Sequence, residues 1–499
     1  MKELAASVDL LSTSFSSSPR SVHESINYLQ KFEKQLSAAF QPLAQAIKDD
    51  FNKPIFESYS CEYSEVLGEL NHFIKNIKSM LACSSPESLS VAFSTLNTTI
   101  EKIALGTVLI ISPFNYPLLL ALSPFIGAFA SGNNVVLKLP GDQLPRFSSA
   151  LKMLMDSVFN GSEVLVVTGG VSESTELLNN CTFDKILFTG STRVGRIVQE
   201  AAAKKLTPTV LELGGKSPAF VTKNSCVNSS LKTIAKRLLW GKFTNAGQTC
   251  VAPDYLLVDA TISDEFITII KEIYNEDYKN INSQTDFTHI INESSFSRIS
   301  EYLEKTKGEI LCGGSTEKSA LFIQPTIVGN VDWDDVLMED EIFGPVLPII
   351  KYESLDKVIS EVKNRHDTPL SMYILSSDKN DIKAIKQIRS GSICINETLM
   401  TAGCSSTPFG GIGTSGFGNY HSKWTVSTFT HERTVMEQPM WAEFLLKSRY
   451  FPYKDGNLTQ LKLIGRLPEL PIARIKQFTV YLVVFLLGAI FSYTFFGQK

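Results

Sequence analysis

The sequence predicts an α/β fold, and three observations carry that prediction. Short β-branched runs at residues 107–112, 135–138, 164–169 and 185–189 alternate with helical stretches, the pattern of strands joined by crossover helices. The last of these runs opens onto Gly190-Ser191-Thr192-Arg193-Val194-Gly195 and then a helix continuing through Lys205. Strand, glycine turn and helix in that order point backbone N–H groups at an anion such as a phosphate. The third observation is length: 499 residues suffice for two or three domains with a substantial core.

Composition narrows the functional classes. A net charge of -4 with mixed signs argues against a nucleic-acid binder held by phosphate contacts. Eight cysteines stand at 61, 83, 181, 226, 250, 312, 394 and 404 with no Cys-x-x-Cys, so a disulfide framework is not expected and a reducing compartment fits. Six dispersed histidines and no His-Glu-x-x-His predict no metal. The first twenty residues are Ser-rich, include Glu3 and Asp9, and make neither a secretory signal nor a good transit peptide. The Asn-x-Ser/Thr triplets at Asn97 and Asn160 therefore carry no glycosylation meaning.

Taken in order, Ser21-Val22-His23-Glu24 is a capping box before a helix running towards Phe51, and a second helix follows over 60–80. Residues 90–104 have β character. The strand at 107–112 delivers Pro113-Phe114-Asn115-Tyr116-Pro117, where two prolines fix the turn and the Asn115 amide can donate to an oxyanion or to the turn itself. A strand at 210–213 leads into Leu211-Glu212-Leu213-Gly214-Gly215-Lys216-Ser217-Pro218. A helix over 229–242 then reaches Phe243-Thr244-Asn245-Ala246-Gly247-Gln248-Thr249-Cys250, followed by a strand at 255–258. Glu212 and Cys250, one carboxylate and one thiol each beside glycines, are the raw materials of a thiol nucleophile with a nearby base. Further on come Glu341-Ile342-Phe343-Gly344-Pro345, Ile393-Cys394-Ile395-Asn396, and Pro408-Phe409-Gly410-Gly411-Ile412-Gly413 with Ser415 and Gly416.

Together these motifs, in this order over roughly residues 20 to 440, closely resemble the aldehyde dehydrogenase superfamily, and within it the class 3-type fatty aldehyde dehydrogenases, especially fungal members. The resemblance implies a Rossmann-like NAD-binding domain with N-terminal helices over 1–90 and 105–211, and an α/β catalytic domain over 212–400. It also implies a small β oligomerisation element from 90–104 and 420–436, hence a homodimer. Cys250 would be the nucleophile, Glu212 the base that activates water, and Asn115 with the Cys250 N–H the oxyanion donors. Lys138 would bind the adenosine ribose. The family usually places a Glu three residues later; here Gly141 takes that place, or Asp142 with a one-residue shift. An acidic group there favours NAD, with NADP possible. Gly190, Ser191 and Gly195 would lie near the pyrophosphate and nicotinamide end, Glu341 on the nicotinamide ribose and Phe343 against the ring. Asn396 resembles a residue that shapes the floor of the site, and the 408–416 loop one near the substrate entrance.

Residues 478–496, FTVYLVVFLLGAIFSYTFF, carry no charge. As a helix they reach roughly 28 Å, close to the hydrocarbon thickness of a bilayer. Arg466, Arg474 and Lys476 precede them and three residues follow, predicting a tail anchor with the catalytic body on the cytosolic face. The expected address is an intracellular membrane: mitochondrial outer membrane, endoplasmic reticulum, endosome or lipid droplet. Residues 437–476, aromatic and moderately basic, would form a linker that either gates substrate from the bilayer or only spaces the domain. The expected activity is NAD(P)-dependent oxidation of long-chain fatty aldehydes, with aromatic or short aldehydes as the variant. A cysteine hydrolase and a non-catalytic membrane-anchored scaffold are the alternatives. The absence of a His near any nucleophile motif counts against the first, and the Cys250, Glu212 and Asn115 set against the second.

Overall fold

The computed structural model describes residues 2–225, 231–453 and 455–471. The expected membrane span at 478–496 lies outside the described residues; among those described, no helix is long and apolar enough to cross a membrane. The chain divides into two units, Met1–Ile77 with Ala104–Phe429, and Lys78–Ile103 with Thr430–Lys499.

In the first unit the helix Val22–Phe51 begins at the predicted box. Ser21 Oγ accepts the Glu24 N–H at 3.2 Å and Glu24 Oε2 accepts the Ser21 N–H at 2.8 Å. Leu29, Phe32, Leu36, Leu43 and Ile47 recur at helical spacing and are buried. The Ser-rich start is also a helix, Lys2–Ser17, which the composition disguised; it places Val8 and Leu11 in the core beside Leu109 and Val136.

A six-stranded sheet runs in the spatial order Gly416–Phe417, Thr209–Glu212, Lys185–Thr189, Thr107–Ile111, Asn134–Pro140, Val164–Gly169, all parallel except the first. From Thr107–Ile111 the chain winds one way through two more strands, then returns to pair Lys185–Thr189 on the other side. That reversal makes a topological switch point, and ligands of open α/β sheets bind beyond the carboxyl ends of the strands at such a point. Asn115 and Gly190 both follow strands that border it.

A second sheet of seven strands, spatially Ser392–Ile395, Ser371–Leu375, Pro218–Val221, Tyr255–Asp259, Val346–Tyr352, Thr326–Gly329 and Glu309–Cys312, surrounds the largest apolar core. The chain passes from one sheet to the other between Glu212 and Pro218, so Glu212 stands at the end of the first sheet.

In the second unit Asn97–Ala104 pairs with Thr430–Glu437, whose side chains are almost all exposed. The strand expected over 420–436 is shorter than that. Ser422–Phe429 is a helix, because Ser422, Thr425, Val426 and Phe429 are buried at helical spacing and Thr425 fits against Gly127, where a methyl would lie 2.2 Å from its Cγ2.

Candidate active site

Cys250 is reached from the helix Leu231–Phe243 through the tight turn Thr244–Gly247. Three consecutive residues lie in the left-handed region: Asn245 at φ 56°, Ala246 at 52° and Gly247 at 70°. Asn245 and Ala246 pay a steric cost there, so surrounding groups must hold them. Glu57 Oε2 accepts the Asn245 N–H at 2.9 Å, and Asn245 Nδ2 donates to the carbonyls of Asn115 (2.9 Å) and Gln248 (3.1 Å). Gln248 is fixed in turn, Nε2 donating to the His289 carbonyl at 2.9 Å and Oε1 accepting the Ile291 N–H at 3.1 Å. A methyl on Gly247 would sit 2.2 Å from the Gly344 carbonyl oxygen, so no side chain fits.

This turn presents the thiol of Cys250, half-buried, in a cavity of about 820 Å³ whose walls include Leu119, Trp240, Phe243, Tyr278 and Phe287. Glu212 lines the same cavity and is buried. Burial lifts its carboxyl to about 7, against the hydroxyls of Thr189 and Tyr420, which hold it down. Thr189 Oγ1 donates to Glu212 Oε2 at 3.1 Å, whereas Oε1 makes no close hydrogen bond. A buried carboxylate oxygen without a donor is an open acceptor, suited to a water molecule. The Cys250 thiol is pushed well above its ordinary range by burial, then by the carboxylates of Glu212 and Glu341, while the N–H groups of Cys250 and Val251 favour the thiolate. In the resting protein the thiol therefore keeps its proton until a base takes it.

Asn115 is buried beside the Cys250 loop, its Nδ2 donating to the Gln248 carbonyl at 2.9 Å. A primary amide has two N–H groups, which leaves one for a further acceptor. The next residue adds a second tie, Tyr116 Oη lying 2.7 Å from Thr249 Oγ1.

At the other end of the switch point, Lys138 Nζ donates to the carbonyls of Leu139 (2.8 Å) and Gly169 (2.6 Å). Burial lowers its pKa, and the carboxylates of Asp142 and Glu173 work against that. Gly141 is not a substitute for an acid: a methyl there would lie 2.5 Å from the Gly169 nitrogen. The acidic groups come instead from Asp142, packed against Gly170, and from Glu173, whose Oε2 accepts the Gly170 N–H at 2.8 Å. Ser191 caps the helix Thr192–Ala203, its Oγ accepting the Val194 N–H at 3.4 Å. Gly190 donates its N–H to the Glu212 carbonyl at 3.0 Å, and Gly195 lets the helix approach Leu213, where a methyl would come within 2.6 Å of Cδ2. Glu341 closes over Gly214, whose added methyl would lie 2.2 Å from its Oε2. Burial and then Asp254 raise its carboxyl to about 8, with the Gly215 N–H, Lys216 and Lys242 opposing. Phe343, at φ 47°, packs edge-on to Phe114 with centroids 6.0 Å apart. Carboxylates and an amine at one end, a capped helix start between, and a carboxylate with an aromatic ring at the other form a donor set that fits two riboses joined by a pyrophosphate.

Residues 14–435 match the aldehyde dehydrogenase family. The chain belongs to this family. Fatty aldehyde dehydrogenase HFD1 of Saccharomyces cerevisiae is 42% identical over 420 residues, 83% of this chain and 78% of that protein. Aldehyde dehydrogenase family 3 member A2 of Rattus norvegicus is 36% identical over 439 residues, 88% and 89% of the two chains. Among solved structures, the substrate-bound state of Staphylococcus aureus AldH superposes with a TM-score of 0.87 at 32% identity, covering 93% of this chain and all of that one. The protein is an aldehyde dehydrogenase with the α/β architecture of its family.

Some groups around this aldehyde dehydrogenase site were missed from sequence. Tyr420 lines the Cys250 cavity and bears on Glu212 from far along the chain; it falls just past the 408–416 motif, and nothing in that motif points to a tyrosine at the carboxylate. Glu173 was discoverable as an acidic residue in the first turn after the strand Val164–Gly169. Asn396 does not face the cavity; its Nδ2 donates to the Ser376 carbonyl at 3.0 Å and its Oδ1 accepts the Ser376 N–H at 3.0 Å, clamping a strand end.

Proposed function

We propose that this enzyme oxidises long-chain aliphatic aldehydes to acids with NAD, and less readily NADP, through a thiohemiacetal and a thioester on Cys250. The observation that carries the reading is Cys250 and Glu212 on one cavity with mostly apolar walls. Its volume of about 820 Å³ lies high in the roughly 300–1,000 Å³ range of small-molecule sites. The similarity to a fatty aldehyde dehydrogenase supports the same substrate class. Asp142 and Glu173 beside Lys138 support NAD, since a carboxylate accepts from a ribose hydroxyl and repels a 2'-phosphate.

Glu212, poised near neutrality, takes the Cys250 proton as Sγ attacks the carbonyl carbon. The remaining Asn115 N–H and the Cys250 N–H hold the oxyanion. The chemistry a bound nicotinamide supplies is hydride acceptance, with Glu341 and Phe343 orienting it. Once Glu212 has passed the thiol proton to solvent, its Oε1 holds a water, removes a proton from it and directs the oxygen at the thioester. This frees the acid and the Cys250 thiolate, which takes the proton back from Glu212. Among the described residues no histidine lines the cavity, which disfavours a cysteine hydrolase.

Residues 478–496 are read as a membrane anchor that puts the enzyme where such aldehydes dissolve. The exposed Met440, Trp441, Phe444 and Phe451 ahead of it fit the interfacial zone of a bilayer. The exposed ribbon of Asn97–Ala104 and Thr430–Glu437 is read as a dimer contact, because an isolated two-stranded sheet is marginal in water.

The test measures NADH formation by detergent-solubilised protein with hexadecanal and with benzaldehyde, beside Cys250→Ser. Hexadecanal should be preferred and the variant inactive. Preference for benzaldehyde would overturn the substrate class, and activity in Cys250→Ser would overturn the mechanism.

A further inference from the structure

Lys53 is fully buried, between Asn52 in the left-handed region and Pro54. Its ammonium forms an ion pair with Glu62, itself fully buried, donates to the backbone carbonyl of Asn115 at 3.1 Å, and lies 4.1 Å from the centroid of the Tyr116 ring. Glu62 sits in a one-turn π-helix, Tyr59–Tyr63, and its Oε2 accepts the N–H groups of Leu118 (2.8 Å) and Leu119 (3.3 Å) at the start of the helix Pro117–Ala130. The pair therefore grips the Asn115 turn from both sides, at the carbonyl of Asn115 and at the helix that follows. The same carbonyl accepts from Asn245 in the turn that leads to Cys250.

Burying an ammonium and a carboxylate is costly, and apolar side chains of the same volume would pack this space with less penalty. What apolar groups cannot do is donate to the Asn115 carbonyl. A hydrogen bond to a peptide oxygen fixes the plane of that peptide, and so the direction in which the side chain leaves it.

We propose that Lys53, paired with Glu62, is a positioning residue that aims the Asn115 amide at the oxyanion formed on Cys250. This rests on the reading of Asn115 given above. Displacing a reacting geometry by about 1 Å can cost on the order of 10²-fold in rate, so a small tilt of the Asn115 peptide is enough to register.

The test is single-turnover NADH formation with hexadecanal in wild type, Lys53→Met, Lys53→Met/Glu62→Gln, Asn115→Ala and Lys53→Met/Asn115→Ala, with NADH affinity followed by fluorescence. Lys53→Met should slow the turnover on the order of 10²-fold with NADH affinity unchanged. The Lys53→Met/Glu62→Gln pair leaves no uncompensated charge and should be as slow, which separates positioning from folding. In the Asn115→Ala background, Lys53→Met should cost nothing further. The same loss with and without Asn115, or wild-type turnover in the neutral pair, overturns the inference alone. Undiminished turnover in Asn115→Ala overturns the reading of Asn115 and this inference with it.

Discussion

Glu212 is asked to be two things that bulk water keeps apart: a carboxylate strong enough to take a proton and one that is neutral for part of the physiological range. Burial supplies the compromise by lifting its carboxyl to about 7. Only the ionised form is a base, so release of the acyl group should accelerate as pH rises through about 7 and level off above it. Glu212→Gln should slow the first turnover of NADH, which needs the thiol proton removed, as well as every later one, by roughly 10²–10⁴-fold; rapid-mixing kinetics checks both. The raised carboxyl also predicts a stability effect of definite sign. A carboxyl raised from 4.5 to about 7 in the folded state contributes stability below its unfolded pKa that is lost as pH rises through about 7. Glu212→Gln should then be more stable than wild type by about 3 kcal/mol at pH 8 and by little at pH 5, at ~1.4 kcal/mol for each tenfold change in proton affinity. Chemical denaturation at the two pH values measures it, and a gain that does not grow with pH rules out the burial account. At this scale the sequence was informative where glycines or a pair of prolines frame the chemistry: Glu212 and Cys250 stand by the first, Asn115 between the second. Lys53, Glu62 and Tyr420 carry no such mark, because their meaning lies entirely in contacts made across the fold.

The turn Thr244–Gly247 shows what an element contributes that a residue does not. Its three left-handed residues are held by hydrogen bonds that Asn245 donates to the Glu57 carboxylate and to the carbonyls of Asn115 and Gln248, and they deliver the Cys250 N–H and thiol together. Gly247→Ala places a methyl against the Gly344 carbonyl at φ 70°, so the turn must open. The expected result is a loss of about 1–3 kcal/mol in stability with a larger proportional loss in aldehyde oxidation than in cofactor binding. Thermal melts and NADH titration of the one variant separate the two; an unchanged turnover number would mean the turn does not set the thiol. Strands were the most legible elements, since β-branched runs ending in glycine gave Val164–Gly169 and Lys185–Thr189 to the residue. Two helices run against their local composition. Lys2–Ser17 hides behind serines, and Ser422–Phe429 is rich in Thr, Val and Phe, whose strand preference gives way once Thr425, Val426 and Phe429 find a buried face.

For the whole molecule, the order of strands was out of reach of local reading. Gly416–Phe417 joins the edge of the six-stranded sheet antiparallel to Thr209–Glu212, and nothing near either segment announces a partner some two hundred residues away. The termini pose the opposite case: residues 478–496 lie outside the described structure, yet their composition alone makes a strong physical claim. Nineteen uncharged residues behind a basic approach should partition into a bilayer whatever the rest of the chain does. Removing residues 472–499 should therefore move the enzyme from the carbonate-resistant membrane fraction to the supernatant. Turnover of a short, freely soluble aldehyde should stay within about twofold, because every residue assigned to the site lies before Tyr420 or at it. Oxidation of hexadecanal presented in vesicles should fall on the order of tenfold or more, as the enzyme loses the surface concentration that anchoring provides. If the truncated chain still sediments with membranes, the exposed aromatic residues from Met440 to Tyr453 hold it there and 478–496 is not the principal anchor. If it is soluble but oxidises vesicle-borne hexadecanal as fast as the full chain, the segment serves as an address, and access of the lipid aldehyde to Cys250 does not depend on it.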